Sequence, residues 1–126
     1  MNVVDSSGWI EFFKAGQNGL IFKPVIEDHA HLLVPTISLY EVHRVLSRSV
    51  PARIVETCLD AMRRGRVLDL TDRRAIAASE AATRHGLALA DAAIYSMARE
   101  HGATLWTQDV DYQGLPGVQY SAKSLA

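Results

Sequence analysis

The chain of 126 residues holds a single cysteine, Cys58, which rules out an internal disulfide and a cysteine-rich zinc site. No stretch approaches the roughly 20 consecutive apolar residues that span a bilayer, and no basic segment precedes an apolar one at the start of the sequence. These absences predict a cytoplasmic protein with no membrane partner. The formal net charge is −1, so global attraction to nucleic acid is missing and any such partner must be met by a local basic patch. Internal repeats, low-complexity tracts and interdomain linkers are also lacking.

What is present has a globular profile, with 48% hydrophobic and 21% charged residues. The length suits one hydrophobic core and is too short for a second, so a single domain over 1–126 is expected. Cys58 falls at helical spacing with Ile54 and Met62, which favours a small buried hydrophobe over a nucleophile.

Short apolar runs alternate with helical patterns, the signature of an α/β fold with a parallel sheet covered by helices. Val3-Val4, Leu32–Val34, Arg66–Leu70, Thr104–Thr107 and Val118–Tyr120 read as strands. Between them, a helix capped by Ser6 or Ser7 runs to about Ala15, with Trp9, Phe12 and Phe13 as its apolar stripe. A second helix occupies part of 19–30, with Pro24 either starting or kinking it. Ser38 opens a third to about Ser49, and Pro51 sits in the first turn of a fourth ending near Gly65, the two forming a hairpin. Thr71 caps an alanine-rich helix ending at His85-Gly86, and Asp91 begins one that runs to about His101-Gly102.

Five acids stand at the mouths of these elements: Asp5, Glu41, Asp91, Asp109 and Asp111. Each has an ordinary explanation. Asp5 and Asp91 suit helix N-caps, Ser38-x-x-Glu41 fits a capping box, and 109–114 reads as a polar turn. Together they are harder to set aside, because ligands of open α/β sheets bind at strand carboxyl ends, where these acids recur. Two carboxylates about 5 Å apart repel by roughly 3 kcal/mol at an effective dielectric of 20. Such a cluster calls for a cation, and all-oxygen ligands suit Mg²⁺ or Mn²⁺ better than zinc.

Four segments carry a family resemblance. Val3-Val4-Asp5-Ser6-Ser7, Ile37–Val42, Leu89–Ile94 and Leu105–Tyr112, the last with its threonine-x-aspartate-x-aspartate-aromatic pattern, resemble in order the acid motifs of the PIN domain, and more narrowly of VapC-type toxins. The one departure is Tyr112, where the family often has Phe. The resemblance implies a three-layer α/β/α fold with a short, mostly parallel central sheet, and a metal-dependent endoribonuclease. It further implies that Asp5, Glu41, Asp91 and Asp109 are catalytic and hold Mg²⁺ or Mn²⁺, directly or through water, with Asp109 the principal ligand of its pair and Asp111 accessory. A cognate antitoxin and homodimerisation through helices are implied as well.

Ser6, Ser7 and Thr107 are candidates to orient the carboxylates, though each equally suits a cap or strand end. Arg44 and Arg48 lie at i+3 and i+7 from Glu41 and so share its helical face, where they can grip RNA phosphates; the competing reading is a Glu41–Arg44 ion pair. Arg63, Arg64, Arg66, Arg73 and Arg74 read as solvated surface, and the five histidines as surface or capping residues. Core packing explains part of the apolar set Trp9, Phe12, Phe13, Leu20, Ile21 and Phe22, and the resemblance implies an antitoxin and a homodimer that bury such a groove; the sequence does not divide these residues between core and interface. Two other readings compete. A degenerate PIN-like module would bind RNA or a partner without cleaving. A receiver-like Mg-binding domain would need a lysine after a late strand, and Lys14, Lys23 and Lys123 do not stand there.

Overall fold

A computed structural model describes residues 1–123; the last three residues of the expected domain lie outside the described residues. Five parallel strands form one sheet in the order β3-β2-β1-β4-β5: β1 Asn2–Val4, β2 Leu32–Pro35, β3 Arg66–Leu68, β4 Thr104–Thr107 and β5 Val118–Tyr120. Helices α1 Ser6–Phe13, α2 Gly19–Glu27, α3 Thr36–Leu46, α4 Ala52–Met62, α5 Asp72–His85 and α6 Leu89–Glu100 complete a three-layer α/β/α fold.

Strand alternation decides which layer each side chain joins. Val3, Leu33 and Leu105 face α5 and α6, packing with Ala81, Ile94, Met97 and Tyr112. Their neighbours Val4, Leu32 and Val34 face the other way, onto Trp9, Phe22, Val42, Leu46, Leu59 and Met62 from α1 to α4. Each such side chain, fully buried, contributes on the order of 2 kcal/mol from area removed from water.

Chain order makes the site. The sequence β1, β2, β3 steps toward one edge and β4, β5 toward the other, so the sheet reverses between β1 and β4, where Val4 pairs with Trp106. The crevice at the carboxyl ends of those strands is the switch point at which open α/β sheets bind ligands.

Several boundaries depart from the sequence reading. The third helix starts at Thr36, two residues before Ser38, with Pro35 as its N-cap, and ends at Leu46, short of Ser49. Ser38 is therefore inside the helix, fully buried, and its hydroxyl has no hydrogen-bond partner among the described residues, so the Ser38–Glu41 capping box does not form. The second helix stops at Glu27, and Pro24 occupies its interior, on the exposed side. A proline there removes one helical hydrogen bond and crowds the carbonyl four residues back, a cost offset by the burial of Phe22, Val25 and Ile26. Pro51 is the N-cap of α4 and not part of its first turn. The strand Arg66–Leu68 is two residues shorter than expected and lies at the sheet edge. Asp91 sits in the first turn of α6, which Ala88 precedes as N-cap, so Asp91 is not the capping residue.

Other local signals act as expected. Thr71 accepts the Arg74 N–H at 3.3 Å and caps α5, and Gly86 closes that helix at φ 67°, a left-handed conformation that glycine adopts without strain. Cys58 is half-buried against the α1–α4 core, and burial pushes its thiol pKa up, which disfavours the nucleophilic thiolate.

Candidate metal centre

Asp5 leaves the end of β1 and caps α1. Its Oδ1 accepts the Gly8 N–H at 3.0 Å and the Ser7 hydroxyl at 2.8 Å, while Thr107 supplies a further side-chain hydrogen bond. The carboxylate is 2% exposed, and burial, with a smaller contribution from the Asp109 charge, pushes its pKa up to about 6. Glycine is required at position 8. A Cβ there would lie 2.6 Å from Val4 Cγ1 and 3.2 Å from the Phe22 ring, so only a bare backbone lets α1 pack this tightly on β1.

Asp109 follows β4. Its backbone N–H donates to the Thr107 hydroxyl at 2.9 Å and its Oδ1 accepts the Asp111 N–H at 2.9 Å, so it caps the 3₁₀ turn Val110–Tyr112 that presents Asp111. Thr107, fully buried, thus links Asp5 to the Asp109 backbone. Asp91 comes from the opposite side, half-buried in the first turn of α6, where the positive end of the helix favours an anion. Burial, followed by the charges of Asp109, Glu41 and Asp111, pushes its pKa up to about 6, although a hydrogen bond from Tyr112 acts against the rise.

Carboxylate oxygens of Asp91, Asp109 and Asp111 can all lie within 4.8 Å of one another. Asp5 and Glu41 stand outside that set. They border it electrostatically, Asp5 through Asp109 and Glu41 through Asp91. Glu41, half-buried on α3, accepts a 2.6 Å hydrogen bond from the Ser6 hydroxyl. No ion pair joins it to Arg44, and Arg44 and Arg48 are both exposed. The donor set is all oxygen, three acids held together against their mutual repulsion, which fits a hard divalent cation.

Tyr112 is a site residue that the sequence reading passed over. Its ring is wholly buried, and its hydroxyl lies 3.2 Å from Asp91 Oδ1 and 3.1 Å from the Asp91 carbonyl oxygen. The available signal was the hydroxyl itself, since a buried tyrosine in an acidic motif seeks an acceptor. A receiver-like site is not supported, because β4 leads into Gln108 and Asp109, and Lys14 and Lys23 are exposed on and after the first two helices. The remaining basic cluster is partly engaged elsewhere: Arg63 pairs with Glu56 and Asp60, and Arg74 with Glu100. His29, His31 and His43 are exposed, and His85 and His101 stand at the ends of α5 and α6.

An acidic crevice at the topological switch point of a doubly wound parallel sheet defines the structural class. Residues 3–117 match the model of the PIN domain, and the chain belongs to that family, whose members are nucleases. Solved structures similar to it include a toxin–antitoxin complex from Klebsiella pneumoniae, with 18% identity and a TM-score of 0.81 over 98% of this chain and 100% of that one. VapC20 from Mycobacterium tuberculosis, described as a sarcin-ricin loop cleaving toxin, shares 22% identity at a TM-score of 0.76, covering 94% of this chain and 97% of its own. DNA-bound VapBC from Salmonella typhimurium shares 20% identity at a TM-score of 0.74, covering 97% and 98%. At these identities the likeness is one of fold. No curated protein sequence matches the chain. Among the described residues, no helix is long and apolar enough to cross a membrane.

Proposed function

We propose that this chain is a metal-dependent endoribonuclease that hydrolyses RNA phosphodiester bonds as the toxin of a VapBC-type toxin–antitoxin module. The observation that carries this reading is the convergence of Asp91, Asp109 and Asp111 oxygens within 4.8 Å at the switch point, with Asp5 and Glu41 coupled to them by charge. Bound Mg²⁺ or Mn²⁺ would activate a water and offset charge on the phosphate.

In this reading Asp5, Asp91 and Asp109 hold the ion, Asp111 is an accessory ligand, and Glu41 acts directly or through a water. The chain's own hydrogen bonds keep the acids facing one another. Ser6 holds Glu41, Ser7 and the Gly8 N–H hold Asp5, and Thr107 ties Asp5 to the amide of Asp109. Outer contacts of this kind fix carboxylate rotation and tune affinity. Arg44, exposed on the helix that carries Glu41, and Arg48, exposed in the turn that follows that helix, supply phosphate contacts that position the RNA.

A single domain working in the cytoplasm, a second copy of the chain and a cognate antitoxin complete the proposal. Trp9 and Phe22 are consumed by the core, whereas Leu20 is 78% and Ile21 40% exposed on α2, an apolar surface suited to an antitoxin segment. Structures of similar fold that were solved as toxin–antitoxin complexes support this assignment.

The test is cleavage of purified RNA with Mg²⁺ or Mn²⁺, with excess chelator, and by Asp91→Asn. Metal-dependent cleavage that Asp91→Asn abolishes in a folded protein is expected. Cleavage that persists in chelator sinks the metal mechanism, and RNA binding without any cleavage in Mn²⁺ replaces it with a binding module.

A further inference from the structure

Three of the crevice acids, Asp5, Glu41 and Asp109, take their orientation from hydrogen-bond donors at a nearby helix or turn start. Asp5 has Ser7 and Gly8, Glu41 has Ser6, and Asp109 has the amide of Asp111. For the Asp91 carboxylate, the hydrogen-bonding partner among the described residues is the Tyr112 hydroxyl, which reaches it across 21 positions of sequence. We propose that Tyr112 is a positioning residue for the cation, its hydroxyl locking the rotation of the Asp91 carboxylate so that one oxygen stays turned toward Asp109 and Asp111.

Three observations support the assignment, which rests on the metal-dependent reading above. The terminal torsion of an aspartate is broad and two-fold, so without a fixed donor the carboxylate rocks between orientations. The donor itself is fixed. The Tyr112 ring is wholly buried in the α5–α6 core, 6.4 Å from the Tyr95 ring, and its one hydroxyl proton is shared between two acceptors of Asp91, the carbonyl at 3.1 Å and Oδ1 at 3.2 Å. Tyr112 also closes the 3₁₀ turn whose middle residue is Asp111 and whose cap is Asp109, so one side chain sets α6 against the turn that presents the other two acids.

The experiment is titration of the full chain with MnCl₂ alone, followed calorimetrically, in four backgrounds: wild type, Tyr112→Phe, Asp91→Glu and the double variant. Phenylalanine fills the same space, so Tyr112→Phe retains the fold. The Kd for Mn²⁺ is expected to rise roughly tenfold in Tyr112→Phe, the usual size of a lost outer contact to a metal ligand. RNA cleavage should recover when Mn²⁺ is raised to saturation, which a collapsed core would not allow. Asp91→Glu already moves the carboxylate off the hydroxyl, so adding Tyr112→Phe should cause no further weakening. Equal affinity in wild type and Tyr112→Phe, or equal losses with Asp91 and with Glu at that position, overturns the proposal while leaving the metal reading intact. A wild-type protein that takes up no Mn²⁺ overturns both.

Discussion

The Ser6 hydroxyl and Glu41 Oε1 are 2.6 Å apart, a bond between the first residue of α1 and the middle of α3 that spans 35 positions of sequence. It holds Glu41 at the rim of the crevice and leaves Arg44 unpaired with it. Ser6→Ala should cost about 1 kcal/mol of stability, as a partly buried hydrogen bond to a charged group is lost. Cleavage should fall by roughly tenfold as Glu41 swings free. Thermal melting and single-turnover kinetics on the same preparation check both figures.

Asp5 and Asp91 raise a different expectation, because their charges oppose folding when no cation is present. Asp5→Asn keeps the cap to Gly8, since asparagine also accepts that N–H, yet removes a buried charge. The metal-free variant should be more stable than wild type by about 1–2 kcal/mol at pH 8, roughly 4–8 °C in melting temperature. Mn²⁺ should stabilise wild type more than the variant, and coincident wild-type curves with and without Mn²⁺ would show that these acids do not form one cation site.

The same two shifts fix the sign of the pH dependence. Both pKa values rise in the folded state from 3.8 to about 6, so the native protein binds protons that the unfolded chain releases. Metal-free stability is therefore highest below pH 4 as far as these groups are concerned, and declines as pH rises from about 4 to 6. For the buried Asp5 the full change is on the order of 3 kcal/mol. Cleavage at limiting Mn²⁺ should run the opposite way, falling as the pH drops and protons compete with the ion for these ligands. Denaturant titrations across pH 4–8 in chelator, beside pH–rate profiles in Mn²⁺, test the pair.

Gly8→Ala should destabilise by about 1–3 kcal/mol, because the added methyl meets Val4 Cγ1 at 2.6 Å and the Phe22 ring at 3.2 Å. The displacement pushes α1 away from the strand that carries Asp5. Melting temperature and Mn²⁺ affinity should fall together.

Leu20, at 78% exposure, gives the converse case. Leu20→Asp should leave melting within about 0.5 kcal/mol of wild type, as for most surface changes. It should weaken capture of a co-expressed antitoxin, measured by tag-based co-purification at matched expression.

Much of this was readable in advance where local chemistry decides the outcome. Asp5 caps a helix and borders the crevice at once, because a short acid at a strand-to-helix turn satisfies the helix N–H while standing at the carboxyl end of its strand. Thr71 and Gly86 bound α5 for equally local reasons. What escaped depends on tertiary placement. The start of α3 is set by where β2 stops pairing with β3, at Pro35 opposite Leu68, and not by the polar Ser38 that follows. Leu20 and Phe22 are two residues apart and equally apolar, yet only the packing of α2 on α1 and β1 reveals that one is surface and the other core. The role of the Tyr112 hydroxyl is hidden from its own motif because its partner, Asp91, lies 21 residues away.

The strand order carries a consequence for biosynthesis. Strand β1 emerges first from the ribosome, but its neighbour β4 is made after β2, β3 and every helix. A nascent chain can thus display Asp5, Glu41 and Asp91 while Asp109 and Asp111 have yet to be translated, and Asp91 lacks the Tyr112 that steadies it. The crevice closes only when synthesis has passed residue 112. In the proposed reading, a fragment that ends before Asp109 lacks two of the acids that would hold the cation.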